Sequence, residues 1–348
     1  MDSILQYVTT VPSDEPDFTL SSRAGAKFAC NANDRTPEGR AAALDQMFKE
    51  VQAADTLTLG PGTWDYGPRF CTLPQCTVSG RGKGVTTMVS SQEDQRGHCG
   101  VNQTRGSILT DMTIVWKPKD NLVRGGQAIG YAATAAPPLP VVCSMKRVAV
   151  YSWGSVAWYL WGAGKFHKFV ATDSEFYAGR IAVEIGMASA SDVVEVVMNN
   201  CKLVTDFQKY QGAGGDIGQR TMGLLVRGGS CTMNGGSINV LGYGGSGIPG
   251  DNNEKPFELA CAAATSSLGA PIKPGEPLPE WGNGEWPLLN LNGVSSSVTA
   301  NGARDALDAW GHIGKLNISG GKGSGRNGDW LYRGDHVNLI PPTQGVEV

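Results

Sequence analysis

A chain of 348 residues with 48 glycines, 19 prolines and 18% charged residues suits many short strands joined by tight turns rather than a helical bundle. A net charge of −3 gives no electrostatic case for a nucleic-acid or anionic-membrane partner, and no apolar run approaches the roughly 20 residues of a membrane helix. Eight sparse cysteines exclude a disulfide scaffold. With four scattered histidines they offer no zinc spacing, so no metal or cofactor is indicated.

In chain order, Met1 to Thr9 carries neither a basic n-region nor an apolar h-region, so no signal peptide is read there. The expected location is cytoplasmic if Met1 is native and extracellular if a leader was removed. Residues 1–35 read as an N-terminal extension. Thr36-Pro-Glu-Gly-Arg then reads as a capped helix start, and residues 41–54 place Ala43, Leu44, Met47, Phe48 and Val51 at helical spacing. Thr56-Leu-Thr-Leu-Gly-Pro-Gly-Thr-Trp reads as strand and turn, and Ser79-Gly-Arg-Gly-Lys-Gly as a tight turn rather than a phosphate loop. Cys71 and Cys76 are spaced for a local bridge, whereas Cys143, Cys201, Cys231 and Cys261 fit buried free thiols equally well.

From residue 127 onward a short strand ending in glycine recurs, with glycines at 130, 162, 186, 228, 293, 311 and 334. Three gaps, of 24, 18 and 23 residues, match a stacked repeat. Following segments align as well, and Asp173, Asn200 and Gly235 fall at one register position, where a stacked turn with an asparagine-like ladder belongs. Strand alternation then separates two faces. The inward pairs are Trp158 and Leu160, Ala182 and Glu184, Leu224 and Val226, Leu289 and Leu291, Leu307 and Ala309, and Trp330 and Tyr332, of which only Glu184 is charged. The chemically mixed outward face holds Tyr159, Trp161, Val183, Ile185, Leu225, Arg227, Asn290, Asn292, Asp308, Trp310, Leu331 and Arg333.

The expected architecture is all-β: a single-stranded right-handed parallel β-helix over residues 36–340 with an N-terminal capping helix, and a tail at 341–348. Inserts at 204–220 and 241–286 project over a cleft, since loops on a rigid scaffold usually carry binding residues. The first insert supplies Lys209, Asp216 and Arg220, the second Tyr243. Trp161, Trp310, Asn290, Asn292 and Arg333 suit a carbohydrate, because aromatic faces stack on sugar C–H surfaces while Asn and Arg bond hydroxyls and carboxylates.

The helix, the Pro-Gly-Thr-Trp at 61–64 and the Ser-Gly-Arg-Gly at 79–82 resemble the opening of pectate-lyase-like right-handed β-helix proteins. That resemblance implies polysaccharide lyases, glycoside hydrolases, uronan epimerases or relatives that isomerise other ligands. The chain lacks the Asp-Asp and Arg-Ile-Lys words of a polygalacturonase and the compact acidic run of a calcium-dependent pectate lyase. β-Elimination needs a cation for the uronate carboxylate and a base for the adjacent proton. Arg227 or Arg220 are candidates for the first role, Lys209 or Tyr159 for the second. Asp216 and Asp308 are the alternative acid–base pair of a hydrolase. A uronic-acid polysaccharide lyase leads. An intracellular small-molecule isomerase or cyclase and a non-catalytic glycan-binding protein stand as alternatives, with oligomeric state left open.

Overall fold

The computed structural model describes residues 15–22, 25, 27–91, 99–103, 106–117, 127–132, 141–153, 156–162, 166–187, 193–206, 220–226, 228–241, 258–264, 288–299, 315–320, 322–324, 330–331, 337–340 and 346–347. Among the described residues β-strands dominate, and one α-helix of this length, α1 (Pro37–Glu50), precedes most of them. The extended Thr36 caps it, its hydroxyl accepting from Gly39 N at 3.1 Å, and Pro37 sits in the first turn, where no N–H is needed. The helix stops at Glu50 rather than at residue 54, because Val51 is extended and closes the last turn through Met47 O. Ala41 and Leu44 are fully buried and belong to the same core as Trp64. Arg40 reaches back to the buried Asp17, with Nε 3.1 Å from Oδ1, and lies 5.9 Å over the Trp64 ring.

The chain builds two main sheets. The smaller runs in spatial order Cys71–Leu73, Cys99–Gln103, Gln127–Ala132, Val156–Gly162, Ile181–Met187, Arg220–Val226 and Glu258–Ala264, every neighbouring pair parallel. The larger has 17 strands, parallel except where Phe18–Ser21 pairs antiparallel with Lys27–Cys30 and Thr56–Leu59. Part of the predicted N-terminal extension is therefore sheet. The path repeats: from Val156–Gly162 in the small sheet the chain enters Phe166–Thr172 in the large one, bends, continues as Glu175–Ala178, and returns as Ile181–Met187.

The bend is a column of left-handed residues. Asp111, Arg147, Asp173 and Asn200 have φ of 56°, 54°, 50° and 51°, and Gly235, Gly293 and Gly320 have 64°, 64° and 63°. Register pairs immediately before them, among them Thr172↔Asn199, Asn199↔Asn234, Asn234↔Asn292 and Asn292↔Ser319, set these positions one above another. The alignment of Asp173, Asn200 and Gly235 expected from the sequence is thus observed. Asp173 to Asn200 spans 27 residues, somewhat longer than the glycine gaps suggested. Between the sheets lies one large apolar core, in which Trp158 stacks on Phe176 at 5.1 Å and meets Phe169 edge-on at 6.3 Å.

Four expectations change. Trp158, Leu160, Leu224 and Val226 point inward as read, but they pair with Val183 and Ile185, so Glu184 faces outward. The phase slips because the glycines are not equivalent: Gly162 is registered with Met187 and Gly186 with Trp161, one residue apart. The Gly-ended words are not one column: Gly130 is registered with Tyr159, whereas Gly293 belongs to the left-handed bend of the large sheet. Within the second insert, Glu258–Ala264 is a strand, its small apolar residues completing the smaller sheet beside Arg220–Val226. Cys71 and Cys76 are free buried thiols, and burial pushes their pKa up to about 12 and about 11.

Candidate functional site

Tyr159 lies between two fully buried neighbours, Trp158 and Leu160, so strand alternation turns it outward from the small sheet. Its register neighbours are Gly130 on one side and Glu184 on the other, each one strand spacing of about 4.8 Å away. Asn102 follows Gly130 and Thr72 follows Asn102, while Leu225 follows Glu184. The outward row therefore reads Thr72, Asn102, Gly130, Tyr159, Glu184, Leu225. Gly130, which has no side chain, separates Asn102 from Tyr159 along this row.

The row has an apolar floor. Val156, Ile181, Met222 and Leu225 form a second buried cluster, and Tyr159 packs against it. Glu184 is 7% exposed, far more enclosed than a surface acid, and it, Tyr159 and Asn102 each engage further groups. A carboxylate and a phenol thus occupy neighbouring register positions on a rigid, apolar support, and these are the two group types that proton transfer uses.

The residues singled out in the sequence divide between the two sheets. Tyr159 is on this row. Trp161 is two positions further along the same strand, paired with Ala132 and Gly186, and Arg220 opens the strand Arg220–Val226 opposite Glu258. The side chains of both lie outside the described residues, as do Arg227, Lys209, Asp216, Asp308, Trp310, Arg333 and Tyr243. Asn290 and Asn292 are on the large sheet, beside Thr232 and Asn234, so no single groove unites them with Tyr159. They were misplaced because Asn290-Leu-Asn-Gly has the same form as the small-sheet words. Among the described residues no three His, Cys, Asp or Glu side chains converge in the manner of a metal site.

A second cluster went unread. On the outer side of the large sheet, beyond the bend, Tyr151 and Tyr177 stack at 4.6 Å with ring planes 6° apart, and Trp153 lies 6.2 Å from Tyr151. Tyr177 Oη donates to Glu175 Oε2 at 2.5 Å, Lys83 Nζ lies 2.5 Å from Glu175 Oε1, and Lys202 Nζ is 5.5 Å over the Tyr177 ring. The recurrence of tyrosine at one register position was the signal. Tyr177 has one face against Tyr151 and the other under Lys202, which makes this cluster a clasp between neighbouring strands rather than an open sugar platform.

Comparison with protein-family models, curated proteins and solved structures finds no match. Among the described residues no helix is long and apolar enough to cross a membrane.

Proposed function

We propose that the strands wind as a right-handed parallel β-helix of the pectate-lyase-like kind, and that the chain is a carbohydrate-active enzyme. Its substrate is a polysaccharide containing uronic acid, cleaved by β-elimination on the outward face of the smaller sheet. The winding is supported by the path that alternates between the two sheets as far as Glu258–Ala264 and by the column of left-handed bends. The single observation that carries the reaction is the register adjacency of Tyr159 and Glu184, with Gly130 on the other side of Tyr159. In this reading Tyr159 exchanges the proton next to the uronate and Glu184 positions the phenol, while Asn102 receives sugar hydroxyls. Arg220 and Arg227 border the same strand in sequence and supply the cation that a uronate carboxylate requires.

A hydrolase by the two-carboxylate route needs a second acid across the sugar. Among the described residues Glu184 is the sole acid on this outward row, which supports elimination. The test is incubation of the purified chain with alginate, pectate, glucuronan and glycosaminoglycans while monitoring ultraviolet absorbance of an unsaturated product. Tyr159→Phe is expected to lower the rate by about 100-fold or more with unfolding temperature unchanged. Absence of product on every polymer, or full activity in Tyr159→Phe, overturns the reading.

A further inference from the structure

Asparagine side chains on the large sheet bond to one another across neighbouring strands. Asn234 Nδ2 donates to Asn199 Oδ1 at 2.9 Å, and Asn292 Nδ2 donates to Asn234 Oδ1 at 2.9 Å. Asn234 is thus held through both ends of its amide. Among the described residues Asn292 is held through its nitrogen alone. The register runs in the same order, with Asn199 beside Asn234, Asn234 beside Asn292, and Asn292 beside Ser319 toward the C-terminal end of the stack.

Among the described residues these two asparagines, Asn234 and Asn292, are the only ones followed by glycine. Asn199 precedes Asn200, Asn239 precedes Val240 and Asn290 precedes Leu291. The distinction is chemical, because an asparagine amide can be attacked by the backbone nitrogen of the next residue, and a side chain on that residue hinders the approach. Gly235 and Gly293 offer no hindrance. Both have φ of 64°, and a Cβ added to either would meet nothing within 4 Å. The fold applies a brake instead: Gly293 N donates to Ser319 O at 2.7 Å and must leave that bond before it can attack.

We propose that Asn292 and Asn234 are sites of spontaneous modification, coupled so that conversion of the first releases the second. When the strand Lys315–Ser319 opens, Gly293 N gives up its proton and bonds to Asn292 Cγ. The Cγ–Nδ2 bond breaks and the amide nitrogen leaves as ammonia. Water then opens the cyclic imide at either carbonyl, giving aspartate or isoaspartate. Both products carry a carboxylate, which has no N–H to donate. Asn234 Oδ1 therefore loses its partner and faces a negative charge, and the Asn234 amide keeps only its bond to Asn199. Its swing toward Gly235 N then breaks one hydrogen bond rather than two. Elements at the end of a fold open more readily than those within it, so the order runs from Asn292 inward. Neither step involves the face of the smaller sheet on which elimination is proposed.

The test is incubation of the full chain in mildly alkaline buffer, with and without concentrated urea, followed by peptide mapping for the mass gain of amide-to-acid conversion. The mapping also separates Asn283, Asn301 and Asn327, which precede glycine but lie outside the described residues. In native buffer Asn292 is expected to convert about fivefold faster than Asn234, the effect of one hydrogen bond on a rate. In urea, where the ladder is gone, the two rates are expected to be equal. Asn292→Asp, which carries the product, and Asn292→Ala, which removes the donor without adding charge, are each expected to speed native conversion of Asn234 about fivefold and to leave its rate in urea unchanged. Circular dichroism and unfolding temperature verify that both variants fold. Conversion of Asn234 as fast as that of Asn292 in the native wild type overturns the proposal. So does a wild-type rate at Asn234 in the folded variants, or no native conversion at either site while the urea sample converts completely.

Discussion

Arg147 holds Asp111 with two donors of its guanidinium, Nε 2.5 Å from Oδ1 and Nη2 2.7 Å from Oδ2, and both residues occupy left-handed backbone. A non-glycine residue in that region costs roughly 1 kcal/mol or more, which its surroundings must offset. The column manages this in two ways. In its first members polar side chains bond to each other along the stack, as Asn200 Nδ2 does to Asp173 Oδ1 at 2.8 Å. In its last members, Gly235, Gly293 and Gly320, the side chain is absent.

Acid should loosen the early part of this column first. Arg147 bonding holds the Asp111 carboxyl below its ordinary value of 3.8 against a smaller opposing effect of burial. At Glu175 burial raises the pKa, but the combined bonds and charges of Lys83, Tyr177 and Lys202 outweigh it, and the net shift is below 4.5. Lowered pKa values mean that the folded chain binds fewer protons than the unfolded one. Their stabilising contribution is therefore present above the unfolded values and lost as pH falls through the folded ones. The urea midpoint is expected to decline below about pH 4, more shallowly in Asp111→Asn and Glu175→Gln than in the wild type. Equal slopes in all three proteins would remove these carboxylates from the acid response.

The inward phase of the strand Ile181–Met187 gives a sharper test. Val183 is fully buried and Glu184 lies on the other face. Val183→Asp is expected to prevent folding, since an unpaired charge in this core costs several kcal/mol. Glu184→Gln keeps shape and hydrogen-bonding capacity, and is expected to shift the urea midpoint by only about 1 kcal/mol equivalent while removing activity. The reverse ranking would restore the phase in which Glu184 points inward.

That phase shows what the sequence could and could not reveal. Helix α1 was legible because Thr36, Pro37 and the apolar spacing all act locally. The bend at Asp173, Asn200 and Gly235 was legible because left-handed backbone selects Asp, Asn and Gly. The outward row at Tyr159 was half legible: simple alternation places Tyr159 correctly, but Gly186 is registered with Trp161 rather than with Gly162, so counting back from each glycine put Glu184 on the wrong face. Asn290 and Asn292 defeated the pattern for a different reason. A short strand followed by glycine occurs at two places in the repeat, and only hydrogen-bond register, Asn292 with Asn234, tells them apart. The Tyr151–Tyr177 stack depends on the same long-range register.

Neighbouring aromatics on the strand Glu175–Ala178 should respond unequally to truncation. Phe176 is fully buried and stacked on Trp158, so Phe176→Ala is expected to cost about 3–5 kcal/mol through lost transfer and an unfilled cavity. Tyr177→Phe keeps the stack with Tyr151 and loses the bond to Glu175, with an expected cost of about 1 kcal/mol. Chemical denaturation of both variants measures the difference. Comparable losses would mean that the outer clasp contributes as much as the core.

Adjacent glycines at the bend separate backbone conformation from space. At Gly236, with φ +84°, an added Cβ would lie 2.0 Å from Cys201 O and 2.8 Å from Cys201 N. No side-chain rotation relieves a clash with backbone, so the strand Ser230–Leu241 must move away from Val193–Asp206, which it pairs along most of its length. Gly236→Ala is expected to abolish stable folding. Gly235, with φ +64°, has nothing within 4 Å of the same atom, and the repeat before it carries Asn200 in that conformation. Gly235→Asn is therefore expected to cost less than about 1 kcal/mol, because asparagine accepts left-handed backbone and reaches the position where the column already bonds side chain to side chain. Thermal unfolding of the two single variants decides the point: a folded Gly236→Ala protein would show that the two strands are not packed backbone to backbone at Cys201.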